Sequence, residues 1–143
     1  MSAVVLDARG APPVPRSARE VQALLELVAQ TVGLQGMDVT LRLVDDCAIA
    51  RLNAEHLGLT GPTNVLSFPA GDDVWEDAGE GGDVAISVDA VAREAALYGQ
   101  DPLEHLARLL AHGLLHLAGY PHGPDMDALC DSAVAAVAAA GGM

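Results

Sequence analysis

The stretch HGLLHLAGYPH, from His112 to His122, holds three of the chain's five histidines, and their spacing suits a metal ion. On a helix turning about 100° per residue, His112 and His116 lie roughly 40° apart around the axis and roughly 6 Å apart along it, so both rings can reach one ion. Gly119 then falls where a helix can stop in the left-handed conformation, and the chain turns through Tyr120 and Pro121 to bring His122 back. Three neutral imidazoles favour zinc and leave a fourth position for water. Nickel, copper and iron accept the same ligands. A closed, structural site with Cys130 or Asp125 as fourth ligand is the alternative reading. His105 lies on nearly the same helix stripe, but seven residues before His112 puts it roughly 10 Å away along the axis, which excludes it as a ligand.

A zinc protease with two histidines at this spacing carries a glutamate beside the first of them as general base. This chain has Gly113 there. Without that carboxylate to activate water next to the metal, peptide hydrolysis is the least favoured chemistry.

Composition limits the other possibilities. The chain has 143 residues, 51% of them hydrophobic, the size of one domain with a real core. No apolar run approaches the ~20 residues of a membrane span, and the N-terminal stretch lacks the basic start and apolar segment of a signal peptide, so the cytoplasm is the expected location. Cys47 and Cys130 belong to no CxxC pair and read as reduced, small core residues. Twenty acidic residues against seven arginines, with no lysine, give a net charge of −13. Such a chain repels a phosphate backbone at long range, so any contact with nucleic acid must be built locally. Phe68, Trp75, Tyr98 and Tyr120 are the only aromatic residues besides histidine, too few for an extended base-stacking platform.

The elements that must position the histidines read as α+β, in the order βαβαββααα. A strand is expected over residues 3–7, followed by the proline-rich turn GAPPVP. Ser17 and Glu20 form a capping box for a helix that runs to Gly33, with Val21, Leu24, Leu25 and Val28 on one face. Residues 37–46 alternate as a strand, Val39, Leu41 and Leu43 pointing one way and Thr40 and Arg42 the other. Asp45 or Asp46 caps a helix ending near Gly58. TNVLSF, residues 63–68, sits between Pro62 and Pro69, which suits a strand at or near a sheet edge. GDDVWEDAGEGGD packs six acidic residues into thirteen positions and reads as a solvated loop, its spacing unlike an EF-hand. Residues 83–88 form a fourth strand, Asp89 caps a helix ending at Gly99, and Asp101-Pro102-Leu103-Glu104 starts the helix that carries the histidines. A last helix begins near Asp125. These elements predict one domain over residues 1–143: a small four-stranded mixed sheet packed with about five helices.

HGLLHLAGYPH, GPTNVLSFP at 61–69 and GGDVAISVDAVAREAALYG at 81–99 together resemble the YbeY family of bacterial zinc-dependent endoribonucleases and rRNA maturation factors. The resemblance spans residues 37–123 or so. It implies that His112, His116 and His122 bind one Zn2+ and that single-stranded rRNA is hydrolysed, chiefly at the 3′ end of the small-subunit rRNA, during maturation and ribosome quality control. Ribosomal particles or ribosome-associated proteins are the implied partners. Hydrolysis of a phosphodiester depends more on stabilising an anionic transition state than on a base beside the first histidine, so Gly113 is compatible with it. Two departures stand out. The family's Tyr-Arg pair falls on His56 and Leu57, with a later basic position on Leu59, and leucine cannot make the bidentate phosphate contacts of a guanidinium. Pro121 replaces the aspartate before the last histidine, a potential partner for a metal-bound imidazole. His56, when protonated, and Arg108, one helical turn before His112, are the candidate replacement cations. A metal-stabilised ribosome-assembly protein with little turnover is the competing expectation.

Overall fold

The computed structural model describes residues 3–6, 17–70 and 81–141. The expected turn GAPPVP and most of the acidic loop lie outside them. The elements are β1 (Ala3–Leu6), α1 (Ala18–Thr31), β2 (Val39–Val44), α2 (Asp46–Leu57), β3 (Val65–Phe68), β4 (Gly82–Ser87), α3 (Val88–Tyr98), α4 (Pro102–Leu117) and α5 (Pro124–Ala139), in the order read from sequence. Local chemistry explains most of their ends. Ser17 accepts from the Glu20 amide at the start of α1, Asp45 caps α2, and Asp101 accepts from the amides of both Leu103 and Glu104 at the start of α4. One assignment changes: Ser87 caps α3, while Asp89 reaches back to accept from the Asp46 amide at 2.9 Å.

The sheet order is β1-β2-β4-β3, with β1, β2 and β4 parallel and β3 antiparallel on the edge beside β4. Parallel neighbours need a crossover, which α1 provides between β1 and β2. One sheet face meets α1 and α4, with α5 packed on those two helices, and Leu24, Leu41, Leu106, Leu110, Leu114 and Ile86 are among the fully buried residues of this larger core. Each such side chain contributes about 1.5–3 kcal/mol through burial. A smaller cluster of Val44, Ile49, Leu66, Phe68 and Ala85 joins the sheet to α2. The polar face of β2 is therefore covered as well: Thr40 and Arg42 are buried, and Arg42 faces Asp83 at 3.6 Å. Neither cysteine is bonded. Cys130 is buried as expected, but Cys47, in the first turn of α2, is exposed and is not a core residue.

Candidate metal centre

Two local interactions fix α4 relative to the sheet and so fix the first two histidines. A Cβ on Gly113 would come within 2.7 Å of Val84 Cγ1, 3.2 Å of Val65 Cγ2 and 3.3 Å of Ser67 Oγ. Glycine is thus the residue that lets the helix lie this close to β3 and β4. Ser67 Oγ uses that proximity to donate a 2.9 Å hydrogen bond to the Gly113 carbonyl. The position that holds the base in a protease faces the sheet here, and a glutamate side chain would have no room. His112 and His116, one residue before and three after it, line a depression together with Val65 and Ser67.

The end of α4 delivers the third histidine. Gly119 has φ 88°, and the chain closes with a bond from the Gly119 amide to the His116 carbonyl and one from the Tyr120 amide to the Leu115 carbonyl, both 3.0 Å. This paired pattern is the helix stop that glycine permits. His122 then packs at ring-centroid distances of 5.0 Å from His112 and 4.4 Å from His116, which are themselves 4.6 Å apart.

One nitrogen from each of the three rings lies within 4.8 Å of the others, and Nε2 of His112 is 3.1 Å from Nε2 of His116. Two imidazole nitrogens this close repel if both present lone pairs, unless a proton or a cation sits between them. A tetrahedral ion with bonds of about 2.0–2.1 Å sets its ligand nitrogens about 3.4 Å apart, close to the 3.1 Å between His112 and His116 and inside the 4.8 Å span of the three rings. The donor set therefore fits one divalent transition metal. Burial first, then His116 and His122, hold the His112 pKa below the usual imidazole range, and burial followed by His122 lowers that of His116. Both shifts favour the neutral, ligating form. Neither Cys130 nor Asp125 joins the cluster among the described residues, and burial, the largest effect on the Cys130 thiol, raises its pKa and disfavours the thiolate.

Around the triad the surface is open. One depression beside it is lined by Leu57, Val65, Leu66, Ser67, Pro69, His112 and His116. A second, on the other side of His112, contains Asn64, Glu94, Tyr98 and Arg108. The family model described as endoribonuclease YbeY matches residues 11–130. The chain belongs to the YbeY family. The endoribonuclease YbeY of Nitratidesulfovibrio vulgaris is 40% identical over 151 aligned positions, covering 93% of each chain, and that of Oleidesulfovibrio alaskensis is 43% identical over 137, covering 82% of this chain and 81% of the other. The fold is similar to the solution structure of a Thermotoga maritima protein, with a TM-score of 0.63 at 24% identity over 98% of this chain and 91% of that one.

The remaining expected site residues of this YbeY-family chain are spread around the triad. Leu57 is 54% exposed and lines the first depression. His56, next to it, sets its ring nearly perpendicular to Phe68, at 5.7 Å between centroids. Arg108 lines the second depression beside His112 and pairs with Asp131 at 2.9 Å. His105 stands apart, buried, with Nε2 2.8 Å from Glu94 Oε1 and Nδ1 3.1 Å from Gln100 Oε1. In the sequence Asn64, Ser67 and Glu94 stand out only as members of the family-like blocks, and Tyr98 also as one of four aromatic residues. Their spacing in the chain carries no signal, because β3, α3 and α4 meet only in the fold.

Proposed function

We propose that this chain is a single-strand-specific, metal-dependent endoribonuclease that acts in rRNA maturation, chiefly at the 3′ end of the small-subunit rRNA, and in ribosome quality control. The observation that supports this most is a three-imidazole cluster, with no carboxylate in it, opening onto a groove in a chain of the YbeY family. His112, His116 and His122 would hold one Zn2+. Bound there, the ion supplies Lewis acidity, polarising a phosphoryl oxygen and lowering the pKa of a water towards about 7.

The protein's own part is positioning and charge. The shifts at His112 and His116 keep these rings neutral near pH 7. Arg108 is the cation placed to meet a phosphate beside His112, exchanging part of its pairing with the exposed Asp131 for a charge-assisted contact. Leu57 offers only apolar surface on the other side. The net charge of −13 makes local contacts of this kind essential. We assign the protein to the cytoplasm, with ribosomal particles as the setting; among the described residues no helix is long and apolar enough to cross a membrane.

The test is cleavage of a single-stranded RNA carrying a small-subunit rRNA 3′ end by zinc-loaded protein and by a folded His116→Ala variant. Metal-dependent cleavage by the parent alone is expected. Tight zinc binding by the parent without cleavage would replace this reading with that of a metal-stabilised ribosome-assembly protein.

A further inference from the structure

Two depressions meet at Val65 and His112, and they differ in chemistry. The Leu57 side presents Leu57, Leu66 and Pro69, together with Ser67. The other, about 270 Å³, presents hydrogen-bond acceptors and a ring. Its carboxylate is Glu94. Oε1 is engaged by His105 at 2.8 Å and by the Asn64 amide nitrogen at 3.3 Å, whereas Oε2 receives only the 3.4 Å branch of that Asn64 contact and keeps a lone pair unused. The same contact orients Asn64, since its amide nitrogen must face the carboxylate, and the carbonyl oxygen is turned away from it. Tyr98 stands at the rim, 60% exposed, its ring 6.1 Å from that of His105. A large exposed aromatic residue is conspicuous in a chain with one Trp, two Tyr and one Phe.

We propose that this depression is a base-recognition subsite that takes one guanine of the RNA, stacked on Tyr98 with its Watson–Crick edge on Glu94 and Asn64. The inference rests on the RNA-hydrolase reading above. Guanine presents two adjacent donors, N1–H and the N2 amine, and the two open acceptors here, Glu94 Oε2 and the Asn64 carbonyl oxygen, can take one each. Uracil offers one donor between two acceptors. Adenine and cytosine each set an amine beside a ring acceptor, which would face the second of these two acceptor oxygens and be repelled. Selection therefore comes as much from rejecting the other edges as from attracting guanine. Single-stranded RNA exposes these edges, and one aromatic face is enough to hold one base. Arg108, lining the same depression, offsets the negative charge of Glu94 where the flanking phosphate must pass.

Two measurements on the full chain test the subsite. The first compares zinc-loaded cleavage of an oligoadenylate holding a single guanosine with the same oligomer holding inosine or adenosine there. The guanosine oligomer is expected to be cleaved at least about tenfold more efficiently by kcat/KM. Tyr98→Ala and Glu94→Gln should each bring that ratio towards one; the exposed position of Tyr98 makes its variant safe for folding. The second measures binding of 5′-GMP against 5′-AMP, which carry the same phosphate, by chemical-shift changes at Tyr98 and Asn64. GMP is expected to bind at least about tenfold tighter, with the difference lost in Tyr98→Ala. RNA cleaved without regard to guanosine would overturn the subsite and leave the hydrolase reading standing. Failure to cleave any RNA would sink the hydrolase reading, and the nucleotide titration would then decide the subsite: equal binding of GMP and AMP overturns it.

Discussion

Helix α4 carries histidines in two opposite settings. His105, in its first turns, is 4% exposed and has an oxygen acceptor at each ring nitrogen, from Glu94 and Gln100. His112, two turns later, faces other imidazoles, its Nε2 lying 3.1 Å from that of His116. A ring whose two nitrogens each meet a side chain other than an imidazole is a structural bridge, here between α3 and α4. Rings whose nitrogens converge on one another need a proton or a cation between them, and three such rings suit a cation. Partner chemistry, more than burial, separates the two roles.

The largest effect that would test this comparison is expected from His116→Ala. Removing partners that merely orient a ligand costs 10–100-fold in metal affinity, so deleting a ligand should cost more than about 100-fold, read by calorimetric zinc titration, with RNA cleavage lost in parallel. The melting temperature of the metal-free protein should change little, because among the described residues the His116 ring hydrogen-bonds only to another imidazole. A large fall in metal-free stability would instead make the triad a structural cluster.

Gly113→Glu comes next. The substitution supplies the carboxylate of a protease motif, but its Cβ already meets Val84 Cγ1 at 2.7 Å. Overpacking of this kind costs about 1–3 kcal/mol or more, and Gly113→Ala should show the lower end of that range in chemical denaturation. No peptidase activity should appear in the glutamate variant. A stable, peptide-cleaving Gly113→Glu protein would refute the packing account of the missing base.

His105→Ala sharpens the contrast from the other side. It leaves Glu94 and Gln100 without their shared partner, at a cost on the order of 1–3 kcal/mol, seen as a lowered melting temperature. Zinc affinity should be unchanged. Loss of zinc binding with the fold intact would mean that the two settings are coupled.

What the sequence made legible follows the same division between local and distant causes. The Ser17 and Asp101 caps, the stop at Gly119, the edge position of TNVLSF and the converging triad all depend on residues within a few positions of each other. The cap of α3 went to Ser87 because Asp89 was drawn off to the Asp46 amide, 43 residues away. β2 alternates as read, yet its Thr40 and Arg42 face is buried too, since α2 covers a side that the pattern alone left to solvent. The partners of His105 and the walls beside the triad come from β3, α3 and α4 meeting in space. Helical spacing could exclude His105 from the metal but could not supply Glu94 as the reason it is buried.

The smallest expected effect is a pH dependence, and its sign follows from the triad. His112 and His116 have folded-state pKa values below the ordinary imidazole value, chiefly through burial. As pH falls below about 6.5, the unfolded chain takes up protons at these positions that the folded chain does not, so metal-free stability declines with acidification and levels off once pH is below the folded values. Between pH 7 and 5.5 the melting temperature of the metal-free protein should therefore drop slightly. Saturating zinc should diminish the drop, because the ion competes with protons for the same nitrogens. In a His112→Ala, His116→Ala double variant the part of the slope due to these rings should vanish. If the slope survived both changes, the proton uptake would belong to other groups, and the low imidazole pKa values would no longer distinguish the triad from the rest of the helix.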